Sequence, residues 1–154
     1  MGRYKENKNV YAGYINLKAI NGIIFPSYAQ NQVNKDYIIN KLYGEFYMST
    51  NENTYGKNNI ILRSLIENSD LNGVCLLSIF SLPEIKEQRI SIYKKTLKLN
   101  KELHFVFEEK KMTKFEDIEV IENLLIFNLD FFVKKKTKLT KYENSITDKS
   151  WQFI

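Results

Sequence analysis

Leu71-Asn72-Gly73-Val74-Cys75-Leu76-Leu77-Ser78-Ile79-Phe80 is the stretch that decides the fold. Val74 to Leu77, with Ile79 and Phe80, make a nearly unbroken apolar run. A strand with one face in water alternates apolar and polar side chains. A run with no polar face marks a central strand covered on both sides, as in a parallel sheet. A parallel sheet needs crossover segments between its strands, and the flanking sequence supplies them.

Downstream, Pro83 precedes an amphipathic helix over Glu84–Leu99, and proline suits a helix start. Glu102–Phe107 reads as the next strand. Thr113 and Glu116 have capping-box spacing ahead of an apolar-striped helix reaching about Phe132. Upstream, Asn9–Ile15 reads as a strand, in which Gly13 leaves room for close backbone approach. Asn16 to Pro26 is a loop with Asn21-Gly22 as its turn signal. Ser27 is placed to cap a helix reaching Tyr43, with Gly44 at its end. Glu45–Ser49 is a short strand, Asn51–Lys57 a polar loop, and Asn58–Glu67 a helix. The expected fold class is therefore α/β: a mostly parallel sheet of four to five strands, with right-handed crossovers and helices on both faces in three layers. Residues 1–132 read as one domain and 133–154 as a basic C-terminal tail.

The composition bounds the function. The chain has 154 residues, one cysteine (Cys75) and one histidine (His104). A lone cysteine makes no internal disulfide, which fits a reducing compartment. One Cys and one His argue against a zinc site, and no cofactor is expected. No apolar run is long enough to span a membrane, and the polar start lacks a secretory signal, so a cytoplasmic location is expected. The net charge is +5. Residues 133–154 hold six lysines against Glu143 and Asp148, which is +4 and leaves +1 for the rest. That distribution argues against a nucleic-acid face on the folded body.

In an open parallel sheet, ligands bind beyond the carboxyl ends of the strands. That rule selects Asn16, Ser49, Glu52, Ser78, Ser81 and Glu108, with Lys18, Asn51 and Glu109 nearby. Gln30 and Asn31, at the first helix start, face the same crevice. Glu52 is the candidate for general acid–base work, since a carboxylate in a partly closed crevice can exchange protons with a ligand; its bland alternative is a solvated loop glutamate. Gln30 and Asn31 offer amides to sugar hydroxyls, or else only cap the helix. Ser78 and Ser81 offer hydroxyls to an anion, or else a helix cap. Arg89 suits a phosphate, although a helix-surface pairing with Glu84 or Glu87 is the commoner role. Cys75, set among apolar neighbours, reads as core, and His104, between Leu103 and Phe105, as a core or interface residue and not a catalyst.

Two resemblances overlap these elements. Tyr11 to Asn16, the Gln30–Tyr37 helix, Asn72–Leu82 and Glu102–Glu108 follow the order of the serine recombinase catalytic domain, which implies a resolvase-like fold. That family's chemistry needs a serine just after the first strand and several arginines. This chain has Asn16 at that place, Tyr14 where an arginine is expected, and only Arg3, Arg63 and Arg89 in all. An amide is no nucleophile for DNA cleavage. More closely, the chain resembles the sporadic carbohydrate cluster protein family of bacterial surface-polysaccharide loci. The matches are Gly13-Tyr14-Ile15, Gly22, Pro26, Gln30-Asn31, Asp36-Tyr37, Ser49, Glu52, Ser78, Leu82-Pro83, Lys86-Glu87, Arg89, Glu102-Leu103-His104 and Glu108. This resemblance implies an enzyme or enzyme accessory acting on a sugar, sugar-phosphate or nucleotide-sugar in capsule or lipopolysaccharide synthesis. The alternative is a non-catalytic protein of the same pathway that docks or forms a homodimer through the 114–132 helix.

Overall fold

The computed structural model describes residues 7–52 and 59–127. The chain divides into two compact units, Met1–Ile121 and Glu122–Ile154. Of the second unit only residues 122–127, the end of a helix, are described. The expected boundary at 132/133, the basic tail and residues 128–132 of the expected dimer helix lie outside the described residues.

The first unit is built on one sheet. Its strands are β1 (Val10–Ile15), β2 (Glu45–Asn51), β3 (Gly73–Leu76), β4 (Glu102–Phe105) and β5 (Lys110–Met112). They lie in the order β2-β1-β3-β4-β5. β1 to β4 run parallel, and β5 is antiparallel to β4. Helices α1 (Ser27–Asp36), α2 (Ile60–Glu67) and α3 (Lys86–Lys98) supply the crossovers. A further helix, α4, covers 115–127. This is the α/β class, with the mostly parallel sheet, that the apolar run predicts.

β3 is buried at every residue, as a central strand must be. It is shorter than expected. The strand ends at Leu76, and Ile79–Ser81 form a 3-10 turn. The run stays apolar because the turn is also buried, so hydropathy alone could not locate the strand end.

Side-chain alternation assigns the two faces. Tyr11, Gly13 and Cys75 face α1, where Tyr11 and Cys75 cluster with Ile38. Glycine lets the strands approach closely at position 13: a Cβ there would lie 2.3 Å from Ser49 Oγ and 3.3 Å from the Asn34 side chain, so a larger residue needs the Ser49 hydroxyl to turn away. Tyr14 points to the opposite face. There α2 and α3 pack together, joined by Arg63 Nη1 to Ser91 Oγ at 3.1 Å and by the Lys95–Glu67 ion pair. His104 is 3% exposed, with its ring edge-on to Tyr11 at 5.4 Å. Cys75 is fully buried, and burial pushes its thiol well above the ordinary range. Both are core residues, the expected place for Cys75 and one of the two expected for His104.

Four local expectations are corrected. α1 is capped at Pro26, not by the Ser27 side chain, and it runs on into a π-helical turn over Tyr37–Lys41. The left-handed residue that ends this turn is Tyr43 (φ 51°), not Gly44. Thr113 does not pair with Glu116; Asp117 Oδ2 instead accepts from the Thr113 and Lys114 backbone N–H groups at 2.9 and 3.2 Å. β5 was not expected, because two of its three residues are exposed lysines that carry no strand signal.

β2 lies at the sheet edge. Its pairing with β1 slips between Tyr11 and Gly13, where Tyr47 and Met48 oppose only Ala12. Such a bulge twists an edge strand and blunts it as a template for another strand. No helix among the described residues is long and apolar enough to cross a membrane.

Candidate functional site at the carboxyl ends of the strands

Strand order decides where a ligand site belongs. β1 is followed by a crossover to β2 on one side, and β3 lies on its other side, so the direction of winding reverses between β1 and β3. The crevice beyond their carboxyl ends is where such sheets bind ligands. Asn16 follows β1 directly, and Ser78–Glu84 forms the loop after β3.

Tyr14 is the hub of this region. It is the last inward residue of β1 on the α2 face, with no exposed surface. Its hydroxyl donates to Glu52 Oε2 at 2.8 Å and accepts from Asn16 Nδ2 at 3.3 Å, with Asn59 Oδ1 also 3.3 Å away. Burial, and then the bond to Glu52, push the phenol far above its ordinary value, so it keeps its proton.

Glu52 reaches across to α2. Its carboxylate accepts from Ile61 N–H at 3.2 Å and Leu62 N–H at 3.3 Å. These are orphan donors of the first helical turn, and Asn59, the N-cap by position, makes no side-chain cap bond. A negative charge there also meets the positive end of the helix dipole. Glu52 therefore joins the end of β2, the start of α2 and the Tyr14 hydroxyl.

The loop after β3 is held by its carbonyls. Asn16 Nδ2 donates to Ser81 O at 3.5 Å, and Lys18 Nζ to Leu82 O at 3.1 Å. Arg89 Nη1 donates to Pro83 O at 3.2 Å and Glu84 O at 2.7 Å. Arg89 thus clamps the loop through its carbonyls. Lys18 also pairs with the Glu84 carboxylate at 3.6 Å; the Glu84 side chain is 83% exposed, the Lys18 side chain 30%. Burial holds the Lys18 ammonium below the ordinary lysine value, partly offset by Glu84.

Gln30 closes the first loop from beneath. It is 1% exposed. Its Nε2 donates to Asn16 O and Phe25 O, each at 2.9 Å, and its Oε1 accepts from Asn16 N–H at 3.3 Å. One amide fixes both feet of the loop.

The structure thus links Asn16, Glu52 and Ser81, with Gln30 as their support. Ser78 and Glu108 form a separate pair at the ends of β3 and β4. Ser78 Oγ donates to Glu108 Oε1 at 2.5 Å and accepts from Phe80 N–H at 3.2 Å; Ile79 N–H donates to Glu108 Oε2 at 3.1 Å. Ser49 is not brought to the cluster. It pairs with Gly13 on the α1 face, and its Oγ, like Asn34 Oδ1 and Ser81 Oγ, has no hydrogen-bond partner among the described residues. Asn31 is half-buried on α1. Sequence reasoning missed Tyr14 and Asn59 as site members. The available signal was spacing, since Tyr14 lies two residues before Asn16 on a strand and so on the same side of the sheet.

Two open grooves, of about 430 and 530 Å³, lie elsewhere; neither is lined by Asn16, Lys18 or Glu52. The strand-end region is defined by its hydrogen-bond donors, Asn16 and Lys18. Among the described residues no group of three His, Cys, Asp or Glu side chains is placed to hold a metal.

No known protein family matches the chain, and no curated protein does. Among solved structures the chain is similar to the crystal structure of the N-terminal catalytic domain of TP901-1 integrase. The TM-score is 0.55 and the identity 11%, over 85% of this chain and 98% of that one. A likeness at this identity is a likeness of fold, and it identifies the sheet and its helices as the resolvase-like arrangement.

Proposed function

We propose that the chain binds an anionic, hydroxylated small molecule of the sugar-phosphate class in the crevice between β1 and β3. In this reading it serves surface-polysaccharide synthesis as an accessory protein and not as an acid–base catalyst. The pathway rests only on the resemblance read from the sequence between short stretches, from Gly13-Tyr14-Ile15 to Glu108, and the sporadic carbohydrate cluster family, to which no family model assigns the chain. The binding mode rests on one observation: among the described residues Lys18, half-buried at the switch point, is ion-paired with a carboxylate that is itself mostly in water. A ligand phosphate displaces Glu84 at little cost and gains a charge-assisted bond. The Asn16 amide lies beside it, held by Tyr14 and Ser81.

The geometry around Glu52 favours binding over catalysis. Its carboxylate is engaged by one hydroxyl and two backbone N–H groups, and Tyr14 keeps its proton. Glu52 is a positioning residue in this reading. Phe127, 66% exposed, supports the homodimer as part of the same proposal.

Calorimetric titration with inorganic phosphate, hexose 1-phosphates and nucleotide-sugars tests the site, with light scattering on the same samples for mass. Hexose phosphates are expected to bind, and Lys18→Gln to weaken them about tenfold or more, the usual worth of a charge-assisted bond. Affinity falls at alkaline pH before an ordinary lysine of 10.5 loses its proton, because burial lowers Lys18. If no ligand binds, or if Lys18→Gln and Asn16→Ala leave binding unchanged, the reading is wrong.

A further inference from the structure

The loop that carries Asn16 and Lys18 also carries an apolar display. Ile20 and Ile23 bond to each other in both directions, N to O, at 2.8 and 3.0 Å. Asn21 (φ 53°) and Gly22 (φ 81°) close this miniature hairpin with a two-residue left-handed turn. Ile20 turns inward, 4% exposed, while Ile23 and Ile24 are 58% and 62% exposed. Leu17, between Asn16 and Lys18, is 40% exposed.

This display is not a loose loop end. Gln30 pins the Asn16 and Phe25 carbonyls, and the Phe25 ring packs edge-to-face on Phe107 at 5.4 Å. Both feet are fixed and the turn is fixed. The apolar side chains are therefore held out in water next to the cationic crevice. Scattered single apolar residues on a surface are ordinary, but a cluster on a braced loop marks a contact site.

We infer that the Leu17–Ile24 loop receives the apolar portion of an amphiphile whose anionic, hydroxylated head lies at Asn16 and Lys18: a sugar phosphate carrying a hydrocarbon chain. The inference rests on the sugar-phosphate reading above and names its substrate class. Charge selects the occupant. A purely apolar partner leaves Lys18 with only the Leu82 carbonyl and the water-exposed Glu84 carboxylate, a partner that an anionic head can displace, and a purely polar ligand leaves the isoleucines in water. One molecule with both parts satisfies the adjoining surfaces.

The test uses the full chain and two soluble probes, a hexose 1-phosphate and the same compound esterified at phosphate with an octyl chain, below its micelle concentration. The octyl probe is expected to bind about tenfold tighter, which corresponds to burying roughly two methylenes. In the double variant Ile23→Ser, Ile24→Ser that advantage drops below about twofold, while hexose phosphate binding is unchanged. Both isoleucines are exposed, so the variant keeps the core. Equal affinity for the two probes, or a chain advantage that survives in the variant, overturns the inference and leaves the crevice reading standing. Failure of both probes removes the crevice reading and the inference with it. A change of mass in the double variant by light scattering assigns the loop to contacts between copies and overturns the inference as well.

Discussion

Tyr11 carries a pH signature that falls within a measurable range. Its hydroxyl donates to Glu102 Oε2 at 2.7 Å, and Glu102 Oε1 lies 3.5 Å from His104 Nε2. Burial first, and then the bond to Glu102, raise the phenol from 10.0 to about 12. The unfolded chain releases this proton near 10 and the folded chain near 12. The contribution is therefore complete below pH 10 and is lost as pH rises from 10 to about 12. Urea melts at pH 9 and pH 12 are expected to show a larger stability loss in the wild type than in Tyr11→Phe. Equal losses would mean that Tyr11 does not titrate with folding. Glu102 acts at the other end of the scale. The His104 imidazole beside it, helped by Tyr11, holds its carboxyl below the ordinary 4.5, so its contribution fades only in acid, as pH falls through that lowered value. Neither effect was legible in the sequence. Cys75 read correctly as core and His104 as core or interface from their apolar neighbours, but the bond from Tyr11 to Glu102 spans 91 residues and depends on register.

At the scale of elements, α2 shows how a strand end can cap a helix. α2 has eight residues and no side-chain cap at its own N-cap position. Short helices are marginal by themselves. Glu52 supplies the missing acceptors from across the loop. Replacing Glu52 with Gln removes the charge and part of this bonding, and is expected to cost about 1 kcal/mol or more. Hydrogen exchange at Ile61 and Leu62 should quicken in step. A Glu52→Gln protein as stable and as protected as the wild type, yet inactive in its pathway, would return Glu52 to acid–base catalysis. The strand-end rule selected Asn16 and Glu52 because β1 and β2 end at breaks in hydropathy, whereas the apolar run hid the end of β3, and Ser81 lies in the buried turn beyond it. It did not reveal that Glu52 faces inward onto Tyr14, nor that Arg89 turns back on Pro83 and Glu84. Those contacts depend on crossover lengths and side-chain direction. β5 stayed hidden for a related reason: three residues with two exposed lysines make a strand only because β4 offers them an edge.

For the whole molecule, the decisive contrast is between layout and chemistry. The sheet and its helices are resolvase-like; the apolar run Leu71–Phe80 with its flanking periodicities was enough to expect a mostly parallel α/β sheet, while the resolvase-like layout followed from resemblance and the strand order was not read from sequence. A shared layout positions groups but does not supply them. The seat after β1 holds Asn16, whose amide is engaged by Tyr14 and Ser81. Of the two arginines in the described residues, Arg63 bridges α2 to Ser91 and Arg89 clamps the Pro83 and Glu84 carbonyls. Both act within the fold. A phosphodiester attacked at this seat needs a nucleophile and also cations to stabilise the charge that develops on phosphorus oxygens. Restoring the nucleophile alone therefore does not restore the reaction. An Asn16→Ser variant, incubated with supercoiled plasmid across a range of salt, is expected to give neither relaxed plasmid nor a covalent protein–DNA adduct. Any DNA retention should fall steeply with salt and disappear when Lys134, Lys135 and Lys136 become Gln, since four of the five net charges lie in 133–154. A stable adduct through the introduced hydroxyl of Asn16→Ser would mean that Lys18 alone can serve the phosphate, and that this chain stands one substitution away from recombinase chemistry.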